Sequence, residues 1–119
     1  MCILFILRRK SSSWPVLIAT NRDEFYNREF EDPGFHWKAQ PSIFAGKDNK
    51  AGGSWLGLNA NGLCVAILNR KSDINNKFLK SRGSLVINAL KNKTAISAKK
   101  NFLKLFEEKY NFFNLFIAD

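Results

Sequence analysis

Two uninterrupted apolar runs stand at the very start of the chain. Cys2–Leu7 and Trp14–Thr20 are separated only by the polar, turn-like segment Arg8–Ser13. Runs this short and β-rich, joined by so short a polar link, predict a hairpin beginning at the N-terminus. Neither run alternates apolar with polar residues. Continuous apolarity predicts strands covered on both faces, as in the middle of a layered fold. With 119 residues there is room for one domain and no internal boundary.

A second hairpin is signalled further along. Gly52-Gly53 leads into Ser54–Asn59, Ala60-Asn61-Gly62 reads as a turn, and Leu63–Asn69 is the returning strand. Between the hairpins, 21–50 reads as a long irregular loop with Pro33, Gly34, Pro41 and Gly46. Its aromatic residues, Phe25 to Phe44, argue for a loop folded back over something. Arg82–Lys91 and Thr94–Tyr110 read as helices, the second capped by Thr94 and facing inward through Ile96, Phe102, Leu103, Phe106 and Tyr110. Phe112–Ala118 is a last strand. The order ββ, loop, ββ, αα, β places the chain in the α+β class.

Charge narrows the function classes. The net charge is +9, and residues 70–119 carry most of it. The basic residues are scattered among Asn, Ile and Phe, with no RNP-like motif, arginine stripe or zinc pattern, so nucleic acid is not the expected partner. The apolar runs are too short to span a bilayer, and no segment reads as a transmembrane helix. The N-terminus has its apolar run before its basic one, the reverse of a secretory signal. A cytoplasmic location is expected. Two cysteines, Cys2 and Cys64, make no disulfide framework.

Four constellations could carry chemistry. If Met1 is removed, Cys2 presents a thiol and a free α-amine on one residue, a nucleophile and its base together. Taken alone, a Cys at position 2 is weak grounds for this. Asn21-Arg22-Asp23-Glu24 follows the second strand, which the hairpin returns beside Cys2. Asp23 could hold an ammonium or thiol there, and Arg22 could bias a thiolate; the plain alternative is a charged surface loop. Ala51-Gly52-Gly53-Ser54, after Gly46-Lys47-Asp48, reads equally as a backbone anion loop or as a tight turn before a hairpin. Asn69 ends an apolar strand where a backbone N–H could serve an oxyanion. Cys64, among apolar neighbours, reads as a core residue. His36 is the one histidine, which excludes a His-based triad or multi-His metal site. No cofactor is expected.

Taken in order, Met-Cys-Ile, Thr-Asn-Arg-Asp-Glu-Phe, Ala-Gly-Lys-Asp with Ala-Gly-Gly-Ser-Trp-Leu-Gly, and Asn-Gly-Leu with Leu-Asn closely resemble the NRDE family, also called the transport and Golgi organization protein 2 family. Arg82-Gly83 and Phe113-Asn114-Leu115 look like further landmarks, so the resemblance covers essentially the whole chain. It implies an N-terminal nucleophile (Ntn) hydrolase-like αββα sandwich, incomplete here. More distantly the pattern is similar to penicillin V acylase and choloylglycine hydrolase. That likeness implies Cys2 as nucleophile and base, Asp23 as its orienting residue, and Asn69 as an oxyanion donor. Those acylases place an Arg three residues before the Asp; here Thr20 stands there and Arg22 adjoins Asp23. Their later oxyanion Asn and second Arg would fall beyond residue 119. The implied partner is a small-molecule amide or acyl substrate, with haem or lipid as cargo in the alternative, non-enzymatic reading. Self-association, or a missing C-terminal half, is expected to cover what this part leaves open.

Overall fold

A computed structural model describes residues 2–70, 76, 78–104 and 110–119. It is an α+β fold with seven strands and two helices among those residues. The strands are β1 (Leu4–Arg8), β2 (Val16–Thr20), β3 (Phe30–Gly34), β4 (Ile43–Asp48), β5 (Leu56–Asn59), β6 (Cys64–Asn69) and β7 (Phe113–Ala118). The helices are α1 (Gly83–Leu90) and α2 (Ala95–Lys104). β1 and β2 pair antiparallel as a separate ribbon, and the rest form one antiparallel sheet in the order β3-β4-β5-β6-β7.

The 21–50 segment corrects the expectation of an irregular loop. It contains β3 and β4, paired to each other. Pro33 and Gly34 obscured β3, and the structure accommodates them because β3 is an edge strand with an irregular register between Glu31 and Gly34. Edges and bulges are where a strand tolerates proline.

One face of the large sheet is closed by the helices. Ile43, Ala45, Val65 and Ile67 meet Leu85, Val86, Ile87 and Leu90 of α1 in a single apolar cluster. The alternate residues of the same strands face away from the helices. Phe44, Leu58, Cys64 and Ala118 line up across the register there, and with Val16 and Ile18 of the ribbon they border an apolar groove of about 450 Å³.

Two expectations of burial are corrected. The ribbon is not covered on both faces: Phe5 is 67% exposed, and Ile6, Leu7, Val16 and Leu17 are exposed too. Its strands pair only with each other, and no described element lies over its outer side. Helix α2 turns inward through Ala98, Ala95 and Phe102, whereas Ile96 (71% exposed) and Leu103 point outward. Small alanines let α2 approach the core closely, and that choice rotates the apolar stripe away from Ile96. Phe106 lies outside the described residues. Thr94 does cap α2, its hydroxyl accepting from the Ser97 N–H at 3.2 Å.

Buried Asn59 ties the layers together. Its amide donates to the Leu90 and Asn92 carbonyls at 2.8 and 2.7 Å, and its carbonyl oxygen accepts from Asn61 and Leu63 N–H at 2.9 and 3.1 Å. One side chain thus closes the β5–β6 turn and satisfies the C-terminal end of α1.

Candidate functional site

The hairpin register brings Cys2 to the residues after β2. Leu4 pairs with Thr20, and side chains continue the ladder beyond that point. The Thr20 hydroxyl donates to the Ile3 carbonyl at 2.7 Å, and the Ile3 N–H donates to Asn21 Oδ1 at 2.7 Å. The chain is thereby held so that the Asp23 N–H donates to Cys2 Sγ at 3.4 Å, and the thiol donates to the Asp23 carbonyl at 3.6 Å. These are backbone contacts. The sequence gave no role of its own to Thr20 or Asn21, whose side chains do the stapling.

Arg22 lies against a T-shaped pair of rings, Phe30 and Trp55, whose centroids are 5.9 Å apart. Its guanidinium lies 4.9 Å from the centroids of both Phe30 and Trp55, a cation–π arrangement. The Trp55 ring can take that place because Gly46 lies beneath it: a Cβ there would sit 2.5 Å from the Trp55 ring. A chain of contacts therefore runs from Gly46 through Trp55 to Arg22. This is what the Ala-Gly-Lys-Asp and Ser-Trp segments do in the fold.

Arg28 joins the loop after β2 to the end of β4. Its Nε and Nη2 both donate to Asp48 Oδ2, and Glu24 lies 3.7 Å from Nε. Burial pushes the Asp48 carboxyl up. The Arg28 hydrogen bond and charge, with backbone N–H groups of Lys50 and Ala51, outweigh it and hold the group below its ordinary value. Lys47 bonds Glu31 at 2.9 Å, and His36 bridges Glu31 and the Asp32 carbonyl. His36 is a loop residue holding β3.

Asn69 ends β6 opposite Phe113. The next residue, Arg70, donates its N–H to Phe112 O at 3.1 Å. Alternation along an antiparallel ladder then turns the Asn69 N–H to the other edge of the strand. On that side the β5–β6 ladder runs as far as Trp55, whose carbonyl accepts from the Ile67 N–H at 2.9 Å, two residues before Asn69.

Cys2, Arg22, Asp23 and Asn69 all border one cavity of about 530 Å³ between the ribbon and the end of the large sheet. Arg28, Asp48, Ser54, Trp55 and Arg82 share it. The volume suits a small-molecule ligand. Cys2 is half-buried at its edge, whereas Cys64 is 8% exposed and burial raises its thiol pKa. The reactive form of a thiol is its thiolate, so Cys2 is the chemically available one.

The family model for Transport and Golgi organisation 2 matches residues 1–119. Over 129 aligned residues, a Transport and Golgi organization protein 2 homolog from Bos taurus is 32% identical and a Transport and Golgi organization 2 homolog from Mus musculus 33%. A Homo sapiens homolog is 30% identical over 126 residues. Each alignment covers all of this chain and 45% of the relative, so the chain spans a little under half their length. With the family model matching from end to end, the chain belongs to the Transport and Golgi organisation 2 family.

Proposed function

We propose that the chain carries the nucleophile-bearing part of an Ntn-type cysteine amidohydrolase. The supporting observation is the backbone hold of Asp23 on Cys2 Sγ at the edge of a cavity that Arg22 and Asn69 also line. With Met1 removed, the Cys2 α-amine takes the thiol proton as Sγ attacks the carbonyl carbon of an amide. The C–N bond breaks, the proton passes to the departing amine, and a thioester remains on Cys2. Water then releases the carboxylic acid and restores the thiol. In this reading the Asn69 N–H, directed away from β7, receives the negative charge building on the carbonyl oxygen. Asp23 positions the sulfur.

Intact mass spectrometry tests this directly. The chain should lack Met1 and gain an acyl mass on Cys2 when mixed with N-acyl p-nitroanilides. Cys2→Ala should abolish the adduct, and Asn69→Pro, which removes the N–H, should slow its formation by roughly 10²-fold or more. A retained Met1, or an adduct on Cys64, would refute the proposal. Formation of the acyl adduct is the result that carries the test.

One observation favours a second reading. The apolar groove beside Phe44, Leu58 and Cys64 suits an acyl chain, as in a lipid carrier. Displacement of a fluorescent fatty acid, lost in Leu58→Asp and retained in Cys2→Ala, would support carriage in place of hydrolysis.

A further inference from the structure

We infer that Arg82 is a specificity-determining residue that selects ligands bearing a carboxylate; this rests on the cavity being a ligand site, as proposed above. The inference begins with two glycines. Gly53 and Gly83 cross so closely that a Cβ on Gly53 would lie 2.4 Å from the Gly83 carbonyl carbon. The Ser54 N–H donates to Gly83 O at 3.2 Å across the same crossing. The Gly-Gly-Ser and Arg-Gly segments, about thirty residues apart, are therefore one structural unit. Its product is a fixed backbone position for Arg82 on the wall of the cavity that holds Cys2.

The other guanidinium groups of that wall are already engaged. Arg28 is paired with Asp48 and Glu24, and Arg22 rests against the rings of Phe30 and Trp55. Arg82 differs. Its Nη1 donates to the Phe112 carbonyl at 2.9 Å, and no carboxylate among the described residues lies within ion-pair distance of it. Burial, and then the charge of Arg28, lower its pKa, with Glu24 acting the other way. With no described carboxylate in ion-pair contact and only the more distant charge of Glu24 to offset burial, the partly desolvated guanidinium gains from an arriving anion. The Phe112 bond uses one nitrogen and fixes the plane. Among the described residues nothing accepts from its Nε or Nη2, which can meet a carboxylate in the forked geometry that arginine uses for such groups. With Cys2 on one wall and Arg82 on another, the fitting ligand is an N-acyl amino acid or similar amide carrying a carboxylate.

The test reads charge at the thiol and needs no turnover. Cys2 in the full chain is alkylated with iodoacetate, which carries a carboxylate, and with neutral iodoacetamide, and the rate ratio is followed by peptide mass spectrometry. Arg82→Gln should lower the iodoacetate-to-iodoacetamide ratio by roughly tenfold or more, the scale of one charge-assisted hydrogen bond. Lys99→Gln, on the exposed face of α2, removes the same charge from elsewhere and should leave the ratio unchanged. A ratio that moves equally in both variants, or in neither, overturns the inference. Should Arg82→Gln fail to fold, the unmodified chain still decides. N-acetylglycine should protect Cys2 from iodoacetamide and N-acetylglycinamide should not; equal protection overturns it. A ratio that depends on Arg82 in a chain that forms no acyl adduct keeps Arg82 as an anion-binding residue and removes the hydrolase reading alone.

Discussion

Gly53→Ala is the substitution that most directly probes how the site is built. The new methyl carbon would lie 2.4 Å from the Gly83 carbonyl carbon, 2.7 Å from its oxygen and 2.8 Å from its Cα. All three are backbone atoms, so no flexible side chain can swing away. Ordinary contact begins near 3.4 Å, so the two segments must part by about 1 Å, enough to weaken the Ser54–Gly83 hydrogen bond. Overpacking of this kind costs about 1–3 kcal/mol, and the lost bond about 1 kcal/mol. The expected loss is therefore about 2–4 kcal/mol, a large share of the stability of a small domain. Urea unfolding followed by tryptophan fluorescence at several protein concentrations measures it. Gly62→Ala is the comparison: Gly62 has φ +82° with nothing within 4 Å, so its cost is conformational alone, about 1–2 kcal/mol. Gly53→Ala should also lower the iodoacetate preference of Cys2, since it displaces Arg82. A Gly53→Ala chain with the parent's unfolding midpoint would refute the close crossing and the placement of Arg82 that depends on it.

Other outcomes follow from the same geometry. Asn59→Asp keeps the acceptor for Asn61 and Leu63 but leaves the Leu90 and Asn92 carbonyls facing a carboxylate; unfolding should show a loss of about 2–4 kcal/mol. Asp48 has a folded-state pKa held below its unfolded value, so its contribution is complete above about pH 4 and fades as pH falls through the lower folded value. The stability gap between the parent chain and Asp48→Asn should therefore narrow from pH 5 to pH 3, and a constant gap would contradict the Arg28–Asp48 pairing. The exposed Phe5, Leu7 and Leu17 share the outer face of the ribbon and form an apolar surface that should drive self-association. Sedimentation velocity should show a concentration-dependent increase in mass, reduced in Phe5→Lys; a monomer at all concentrations would count against it.

The legible parts of this chain are those where local signals and tertiary packing agree. The Ala60-Asn61-Gly62 turn and the apolar runs around it gave the β5–β6 hairpin because Gly62 adopts the positive φ such a turn requires. The proximity of Cys2 to Asp23 followed from hairpin register. What the sequence hid was decided across the fold. β3 was concealed by Pro33 and Gly34, which only an edge position tolerates. The inward face of α2 was misplaced because Ala95 and Ala98 signal close approach more weakly than Ile96 signals burial. Gly53 and Gly83 reveal their purpose only as a pair, and no window of neighbouring residues contains both. Asn59 looked like a strand-end residue, yet its four hydrogen bonds reach two elements.

The two sheets of this protein share no backbone ladder. Cys2 and Asp23 belong to the ribbon, whereas Asn69 and Arg82 belong to the frame of the large sheet and α1. The links nearest the cavity are side-chain ones, Arg28 to Asp48 and Arg22 to its two rings. The distance from the Cys2 sulfur to Asn69 is thus a hinge coordinate, set by a few polar and stacking contacts and free of the cooperativity that locks strands within a sheet. Such a hinge opens at lower cost than the core unfolds. Amide exchange should run in that order, with β1 and β2 exchanging well before β6, and the site should come apart and reassemble many times for each unfolding of the helix-covered sheet.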